Sequence, residues 1–339
     1  MTETSLVVAA EIDQVRLMQW ATAMQTWLKN HENRSIETRR TYEAAWKSFI
    51  RYSPVMPWAV TPDEVTGWVA ALKEQKRAAR TINLYLAAVS AFYEYCSAVY
   101  PPLTGYNPTK IVDRMKIADD EPDAVAPHEY TKLMAAIPAE GLENLRDRAM
   151  IATFWFTAMR SRAVRELRLR QITREGGEVF ITYFSKKPDK KRYAGPAWEH
   201  AEAYLASRTY RREDGTATTW LALLHDVWAG TVAAPEWDWV FVSHASNASW
   251  MSVGKALSET AMSNMLDERG LAAVGRKIHA HMFRHGAARA LDEAGADIRE
   301  INGFLRHRTL TQTDLYLQRL KKTKVDNSAS AMLLRVLGL

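Results

Sequence analysis

The sequence has little cysteine and no long apolar run. Its 339 residues include one cysteine, Cys96, so the chain cannot form an intrachain disulfide. Cys96 lies in an aromatic stretch with helical spacing, which predicts a buried structural thiol rather than a nucleophile. No stretch approaches the ~18 apolar residues of a membrane span. The apolar start at 5–10 is short and flanked by Glu3 and Glu11, unlike a signal peptide. We therefore expect a soluble, cytoplasmic protein.

Acidic residues are fewer than basic ones. The chain has 39 Asp and Glu against 45 Lys and Arg, a net charge of +6, and its pI is about 9.2. This balance favours a polyanionic partner such as nucleic acid, although many basic proteins bind none. The apolar fraction of 47% is typical of globular proteins, and the length suggests two domains.

The sequence contains no internal repeat and no low-complexity tract. Apolar residues with helical spacing predict four helices in the first part of the chain. They cover 11–29, a segment from Ser35 or Thr38 through Phe49, a segment with a capped start at Thr61, and a segment from about Thr81. A short helix is expected around Ile111. The polar, acidic segment 116–126 predicts a linker between a helical domain at 11–115 and a second domain at 127–322.

The second domain is predicted to be helical with a small sheet. Helices are expected from Pro127, over 144–157, over 198–210 and through most of the chain after Met251. Runs of β-branched and aromatic residues at 179–184 and 237–242 predict strands. The fold class is therefore mainly α with a small antiparallel β-sheet.

Three stretches of the second domain contain candidate catalytic residues. They are Thr157-Ala-Met-Arg160, His281-Met-Phe-Arg284 and Leu305-Arg-His307, and the last is followed by Tyr316. Each stretch alone is a weak signal, because single arginines at helix ends and single tyrosines usually have structural roles. Their order and spacing carry more information. His281 and Arg284 are three apart and share a helix face, and Tyr316 follows His307 by nine residues.

This arrangement resembles the phage-integrase family of tyrosine recombinases, which includes the Xer-type recombinases. The family pattern is a T-G-L-R stretch, an H-x-x-R stretch, an L-G-H stretch and a tyrosine nine residues past that histidine. The resemblance spans about residues 12–330. It implies a helical, SAM-like core-binding domain and a catalytic domain that clamp DNA. It also implies site-specific recombination through a 3′-phosphotyrosine intermediate and a Holliday junction, without a cofactor.

The family also has a lysine in a β-hairpin between the first two motifs, often as K-x-x-K-x-R. The segment Lys187-Pro-Asp-Lys190-Lys-Arg192 fits this pattern and directly follows the predicted strand 179–184. Lys186 adjoins Lys187, and Lys190 and Lys191 follow, so the choice of lysine stays open, and the pattern favours Lys187. The resemblance makes this lysine the proton donor to the leaving 5′-hydroxyl.

The remaining residue types suit phosphoryl transfer. Arg160 and Arg284 can each donate paired, charge-assisted hydrogen bonds to the non-bridging phosphate oxygens. The resemblance makes Tyr316 the nucleophile, and a phenol with a pKa of about 10 needs help to lose its proton. His281 is expected to be the general base and His307 a phosphate ligand. Such a set positions the reactants and stabilises charge without a metal.

Three positions depart from the family pattern. Ala158 replaces a glycine, and Arg306 replaces the glycine before His307 and adds a charge near the expected phosphate. Ala163 stands where the family usually has a supporting Glu or Asp. These departures leave a non-catalytic DNA-binding protein on the same fold as one alternative. A type IB topoisomerase or a telomere resolvase is another, since both use the same chemistry.

His279, His281 and His285 are close in sequence, but a structural zinc site usually has four ligands, often with cysteine, so we expect no metal. Basic residues near helix starts and in the hairpin are candidate phosphate contacts, and a solvated basic face is an equally good interpretation of each. They are Arg39, Arg40, Lys76, Arg77, Arg80, Lys190 and Arg192.

The expected partners are double-stranded DNA and further copies of this chain. The resemblance implies a dimer on one site and a tetramer in the synapse, and it leaves accessory proteins open. The tail at 323–339 predicts a short apolar helix, which must dock to be stable. The resemblance favours docking on a neighbouring protomer, and docking on its own catalytic domain is the alternative.

Overall fold

The computed structural model describes residues 3–32, 36–53, 55–117, 122–184, 188–193, 195–244, 254–306, 309–311 and 313–314. Contacts divide the chain into two compact units, residues 1–119 and 120–339. The fold is mainly α with small antiparallel sheets, which confirms the predicted class. Within the described ranges, no helix is both long and apolar enough to cross a bilayer.

The described part of the first unit is built from four α-helices around an aromatic core. The helices are α1 Glu3–Glu32, α2 Ile36–Tyr52, α3 Pro62–Glu74 and α4 Ala79–Ala98. Trp27 stacks on Tyr42 with ring centroids 5.1 Å apart, and Trp46 meets Phe92 edge to face at 4.6 Å. Since α1, α2 and α4 each contribute to this aromatic cluster, side-chain packing holds the helices together.

Helix α3 follows directly from its sequence. Thr61 is the N-cap that the sequence predicts, and in the structure it forms a capping box with Glu64: the Thr61 amide donates to the Glu64 carboxylate at 2.6 Å, and the Glu64 amide donates to the Thr61 hydroxyl. One face of the helix is buried at Val65, Trp68, Val69 and Leu72. This spacing is that of an amphipathic helix with one face in a core.

Helix α3 ends in a Schellman motif. The Lys76 amide donates to the Lys73 carbonyl at 2.8 Å, and the Arg77 amide donates to the Leu72 carbonyl at 3.1 Å. Lys76 has a φ of 57°, in the left-handed region where glycine is usual. The position therefore carries backbone strain that a lysine side chain does not relieve.

Cys96 is fully buried in α4. Burial raises the pKa of its thiol to about 12, so the thiolate that would react is scarcely formed at neutral pH. The prediction of a structural thiol is confirmed.

The second unit combines helices with two small sheets. Before the first sheet lie α5 Pro127–Ala136, α6 Leu142–Thr157 and α7 Ser161–Arg165. The sheet has the order β1-β2-β3 and is antiparallel, with β1 Ile172–Glu175, β2 Glu178–Phe184 and β3 Pro188–Arg192. Then follow α8 Pro196–Ser207, the hairpin β4 Thr209–Arg211 and β5 Ala217–Thr219, α9 Trp220–Trp228, α10 Glu259–Val274, α11 Ala280–Glu293 and α12 Ile298–Leu305.

Helix α6 lies at the centre of the second unit and is buried along most of its length, charged residues included. The buried Arg146 guanidinium donates to Asp147, and Arg269 of α10 donates to the other oxygen of the same carboxylate. These contacts match each buried charge with an opposite one, which such burial requires.

Some sequence predictions about this fold were wrong. The segment 237–242 forms isolated bridges, from Trp239 to Arg168 and from Val242 to Ala256, rather than a regular strand. The chain turns at Ile111 without forming a helix. The helix predicted over 198–210 ends at Ser207, and the next residues pair in β4. The tail predicted as a helix at 323–339 lies outside the described residues.

The strain at Lys76 is testable. Lys76→Gly should raise the free energy of unfolding by about 1 kcal/mol, because glycine adopts the left-handed region without a steric penalty. Lys73→Gly is the matched control in the same helix, and it should lower stability by about 1 kcal/mol. Urea unfolding of both variants beside the unchanged protein gives the comparison, and destabilisation by Lys76→Gly would contradict it.

Candidate active site

The first motif forms a sharp connection between α6 and α7. Ala158 follows the last residue of α6 with φ 47° and ψ 27°, and its amide still donates to the Phe154 carbonyl. The Thr157 hydroxyl accepts from the Met159 amide at 3.3 Å and so supports the turn. Arg160 then occupies the N-cap position of α7, and its side chain is exposed. The left-handed turn therefore presents the Arg160 guanidinium to the surface.

The second motif lies at the start of α11. His281 is exposed, whereas Arg284, one turn later, is 5% exposed. The Arg284 guanidinium donates to the carbonyl of Ala158, at the end of α6, and to the carbonyl of Leu305, at the end of α12. The arginine of the second motif thus contacts the backbone of the first and third motifs directly.

His281 lies within electrostatic range of both guanidiniums. Although the residue as a whole is exposed, the pKa of His281 is lowered, first by partial desolvation of its side chain, then by the positive charges of Arg284 and Arg160, and further by His279. The ring is therefore neutral at pH 7 and can accept a proton. His281, Arg160 and Arg284 are the catalytic candidates whose proximity the structure describes.

His285 lies beside His281, with ring centroids 5.9 Å apart. Its pKa is lowered to about 4, mainly by burial and then by the neighbouring His281 and Arg284. His279 forms the N-cap position of α11. Among the described residues, no group of three His, Cys, Asp or Glu side chains could hold a metal ion.

The third motif begins at the end of α12. Arg306 follows the helix with φ 54° and ψ 48°, and its guanidinium donates to the Lys190 carbonyl of β3 at 2.9 Å. Arg306, which stands where the family has glycine, thus adopts a left-handed conformation, which glycine accommodates more readily than other residues. His307 and Tyr316 lie outside the described residues.

The chain between these two residues is partly described. The Asn302 side chain donates to the Thr309 carbonyl at 3.0 Å and to the Thr313 hydroxyl at 2.9 Å. Thr313 is fully buried. These contacts fix the segment that precedes Tyr316 to the body of α12.

Strand β3 carries the basic residues of the hairpin. Lys190 pairs with Glu175 and lies 4.3 Å from the centroid of the Phe180 ring, and Arg192 pairs with Glu178. Lys191, between them, is buried. Lys186 and Lys187 lie outside the described residues, so the choice between them remains a prediction.

The sequence pattern left Lys191 among four neighbouring lysines and did not single it out. Its amine donates to the Thr157 carbonyl at 2.5 Å and to the Phe304 carbonyl. The strand alternation could have indicated it, because Lys191 pairs with the buried Ile181, whereas its neighbours pair with Thr182 and Phe180.

Ala163, which stands where the family usually has Glu or Asp, lies in α7. Ala163 is half-buried and packs against the core of the second unit. Glu166, at the C-cap of the same helix, is held by two arginines, Arg162 at 2.9 Å and Arg165 at 2.7 Å.

The candidate DNA contacts of the first unit are mostly exposed. Lys76, Arg77 and Arg80 are exposed around the turn between α3 and α4. In α2, Arg40 is exposed and Arg39 is half-buried. Their contact with DNA remains a prediction.

Two family models match the chain. The model of the phage integrase family matches residues 124–323, and the model of the phage integrase N-terminal SAM-like domain matches residues 25–98. One curated relative is tyrosine recombinase XerC of Pediococcus pentosaceus, 26% identical over 267 residues, which cover 78% of this chain and 79% of that protein. Another is tyrosine recombinase XerD of Listeria monocytogenes, 23% identical over 292 residues, which cover 83% and 88%.

Solved structures of recombinases share the fold. XerH site-specific recombinase in a post-cleavage complex with its palindromic difH substrate gives a TM-score of 0.62 at 16% identity, covering 91% of this chain and 83% of that one. A lambda integrase dimer bound to a COC′ core site gives a TM-score of 0.60 at 16% identity, covering 90% and 97%.

The match to the catalytic model covers more than half of the chain and contains all three motifs. The curated relatives extend the similarity through both units. The chain therefore belongs to the phage integrase family of tyrosine recombinases.

Proposed function

We propose that this chain recombines DNA at specific sites by cleaving and rejoining strands with Tyr316 as the nucleophile. The proposal rests on the position of Arg284, whose guanidinium donates to carbonyls at the ends of α6 and α12. This contact gathers three motifs that lie far apart in sequence around one guanidinium, and His281 and Arg160 lie within its electrostatic range.

The proposed cleavage step is an exchange of phosphoesters. The Tyr316 oxygen attacks the scissile phosphorus, and the bond from phosphorus to the 5′-oxygen breaks. The product is a 3′-phosphotyrosine, and the leaving 5′-oxygen takes a proton from Lys187. Because the energy of the phosphoester is conserved in the covalent link, rejoining needs no ATP.

Both arginines are proposed to bind the scissile phosphate, but the protein holds them in different ways. Guanidiniums donate planar, paired hydrogen bonds, which suit the non-bridging oxygens of a phosphate as charge builds up in the transition state. Arg160 extends from an exposed N-cap, whereas Arg284 is buried and fixed by carbonyls. Arg160 is therefore free to follow the DNA, and Arg284 defines where the phosphate binds.

His281 is the proposed general base. Its lowered pKa keeps the ring neutral at pH 7, so that it can accept the phenolic proton of Tyr316. His307 is proposed to bind the phosphate beside Arg284.

The proposed partner is double-stranded DNA. The XerH and lambda integrase structures that share this fold are complexes with DNA, and the latter is a dimer. For this chain we propose a dimer on each site and a tetramer in the synapse. The basic residues around the turn between α3 and α4 are proposed to contact the phosphate backbone.

Tyr316→Phe should abolish cleavage and leave DNA binding almost unchanged, because only the nucleophilic oxygen is lost. The Phe variant can first be used to select binding sites from a randomised duplex library. Nicked versions of the selected site then trap any covalent complex, which denaturing gel electrophoresis detects. A covalent adduct with the Phe variant would disprove the assignment of Tyr316, and absence of an adduct with the unchanged protein would disprove the proposed function.

The two arginines should differ in their effect on stability. Arg160→Ala and Arg284→Ala should each slow single-turnover cleavage by ~10²–10³-fold, as for other donors that stabilise transition-state charge. Arg284→Ala should also lower the free energy of unfolding by about 1–3 kcal/mol, because buried carbonyls lose their donor. Arg160→Ala should leave stability unchanged, since the side chain is exposed.

Arg211→Ala, an exposed change in the hairpin β4–β5, is the matched control and should affect neither quantity. Equal stability of the Arg160→Ala and Arg284→Ala proteins would contradict the burial of Arg284 and its hydrogen bonds to the two carbonyls.

The pH dependence of cleavage tests His281. As the pH falls through its pKa, His281 becomes protonated and can no longer accept the phenolic proton, so the rate should fall on the acid side, below pH 6.5. Arg160→Gln removes one of the charges that lower this pKa and should move the acid limb to higher pH. The measurement is the single-turnover rate against pH, with Arg211→Gln as control. An acid limb that does not move in Arg160→Gln would exclude His281 as the titrating base.

A further inference from the structure

Lys191 is a buried lysine at the meeting point of the catalytic motifs. It is 8% exposed, and its amine lies 5.0 Å from the centroid of the Phe304 ring. The amine donates to the carbonyl of Thr157 at 2.5 Å and to the carbonyl of Phe304. One side chain of β3 thus connects the last turn of α6 with the last turn of α12.

The position suits a positive charge. The last carbonyls of a helix have no amide partner in the same helix, and they form the negative end of its dipole. Thr157 is the last residue of α6, and Phe304 lies in the last turn of α12. A lysine amine has three donors on one atom, so it can serve both carbonyls at once.

The contacts of Lys191 run parallel to those of Arg284. Lys191 donates to the carbonyls of Thr157 and Phe304, and Arg284 donates to the carbonyl of the residue that follows each of them in the chain. Two cations from different elements therefore bridge the same pair of helix ends. Any shift of the carbonyls that Lys191 holds moves those that orient Arg284, because they belong to adjacent peptide units.

We propose that Lys191 is a positioning residue, which fixes the helix ends so that Arg284 is oriented for the scissile phosphate. The inference rests on the proposed function and adds a residue to it. Lys191 acts through Arg284 rather than on the DNA, because its amine is directed to backbone carbonyls and its side chain is buried. The proposed general acid, Lys187, is a different residue of the same hairpin.

The hairpin itself has a second connection to α12. Arg306 donates to the Lys190 carbonyl at 2.9 Å. Loss of the Lys191 amine would therefore leave the hairpin attached and would affect mainly the orientation of Arg284. This distinction separates a positioning role from a direct role in proton donation.

The test compares Lys191→Met with Lys191→Arg, which keeps donors for both carbonyls. Lys277→Met is the matched control, since Lys277 is an exposed lysine of the same unit that pairs with Asp267 at 3.2 Å. For each protein, the thermal unfolding midpoint, the affinity for the selected site and the single-turnover cleavage rate are measured. Cleavage is followed on a normal site and on a site with a 5′-bridging phosphorothiolate, whose sulfur leaves without a proton donor.

Lys191→Met is expected to bind the site with unchanged affinity and to cleave it about 100-fold more slowly, as when reacting groups are misplaced by about 1 Å. The defect should be equal on both substrates, because the damaged function is phosphate orientation. Lys191→Arg should recover most of the rate, and Lys277→Met should cleave like the unchanged protein.

Other outcomes overturn the inference. A normal rate for Lys191→Met excludes a positioning role, and a defect that disappears on the phosphorothiolate makes Lys191 the general acid instead. If Lys191→Met does not fold, Lys191→Gln takes its place, and loss of folding in both variants reduces Lys191 to a stability role. Absence of cleavage by the unchanged protein would disprove the proposed function first, whereas normal cleavage by both the unchanged protein and Lys191→Met disproves this inference alone.

Discussion

The C-terminal ends of α6 and α12 expose carbonyls that no later amide of the same helix can satisfy, and two cations hold these ends together. Lys191 and Arg284 each donate to one carbonyl of each helix. We call the two helix ends, with Lys191 and Arg284 between them, the junction. Because Arg160 follows α6 and His307 follows α12 in the chain, the positions of the first and third motifs depend on it. Both helices end in a left-handed residue, Ala158 or Arg306, which turns the chain away. The geometry of the candidate active site thus depends on two helix ends as much as on its side chains.

The junction also determines the electrostatics of the site. Positive charges gather where a phosphodiester is proposed to bind, and their field lowers the pKa of His281 in addition to the effect of burial. One set of guanidiniums can therefore serve two purposes: it attracts the phosphate, and it keeps a nearby imidazole neutral and able to accept a proton. The two arginines also differ in burial: Arg284 is buried and fixed by the protein, whereas Arg160 is exposed.

Much of the fold could be predicted from periodicity, and the exceptions have physical reasons. The helices of the first unit and the N-cap at Thr61 follow from local patterns. The segment 237–242 was predicted as a strand because it is aromatic and β-branched, yet Val240 and Phe241 are buried in the core without a regular ladder. The aromatic and β-branched composition of this segment therefore reflects burial in the core rather than pairing in a regular strand. Local propensity does not predict strand β3, because its basic residues have low strand propensity. Only the family resemblance placed this segment in a hairpin, and its pairing with β2 overrides the local preference.

The residue types of the candidate site could be predicted, but the residues that hold them in position could not. Order and spacing identified Arg160, His281 and Arg284, whose proximity the structure describes. They could not identify Lys191 within a run of basic residues, because its role depends on the distant ends of α6 and α12. Nor could they show that residues 158 and 306 have left-handed backbone, where glycine is usual, since that requires the backbone dihedrals.

The single, deeply buried thiol of Cys96 has a practical consequence for physical studies. A cysteine introduced on the surface would be the one thiol that maleimide reagents modify rapidly in the folded protein, because the native thiol is enclosed and its pKa is about 12. Fluorophores or spin labels can therefore be attached at chosen points of the natural sequence, without first removing a native cysteine. Distances between a label in each unit could then follow the two units as DNA is added.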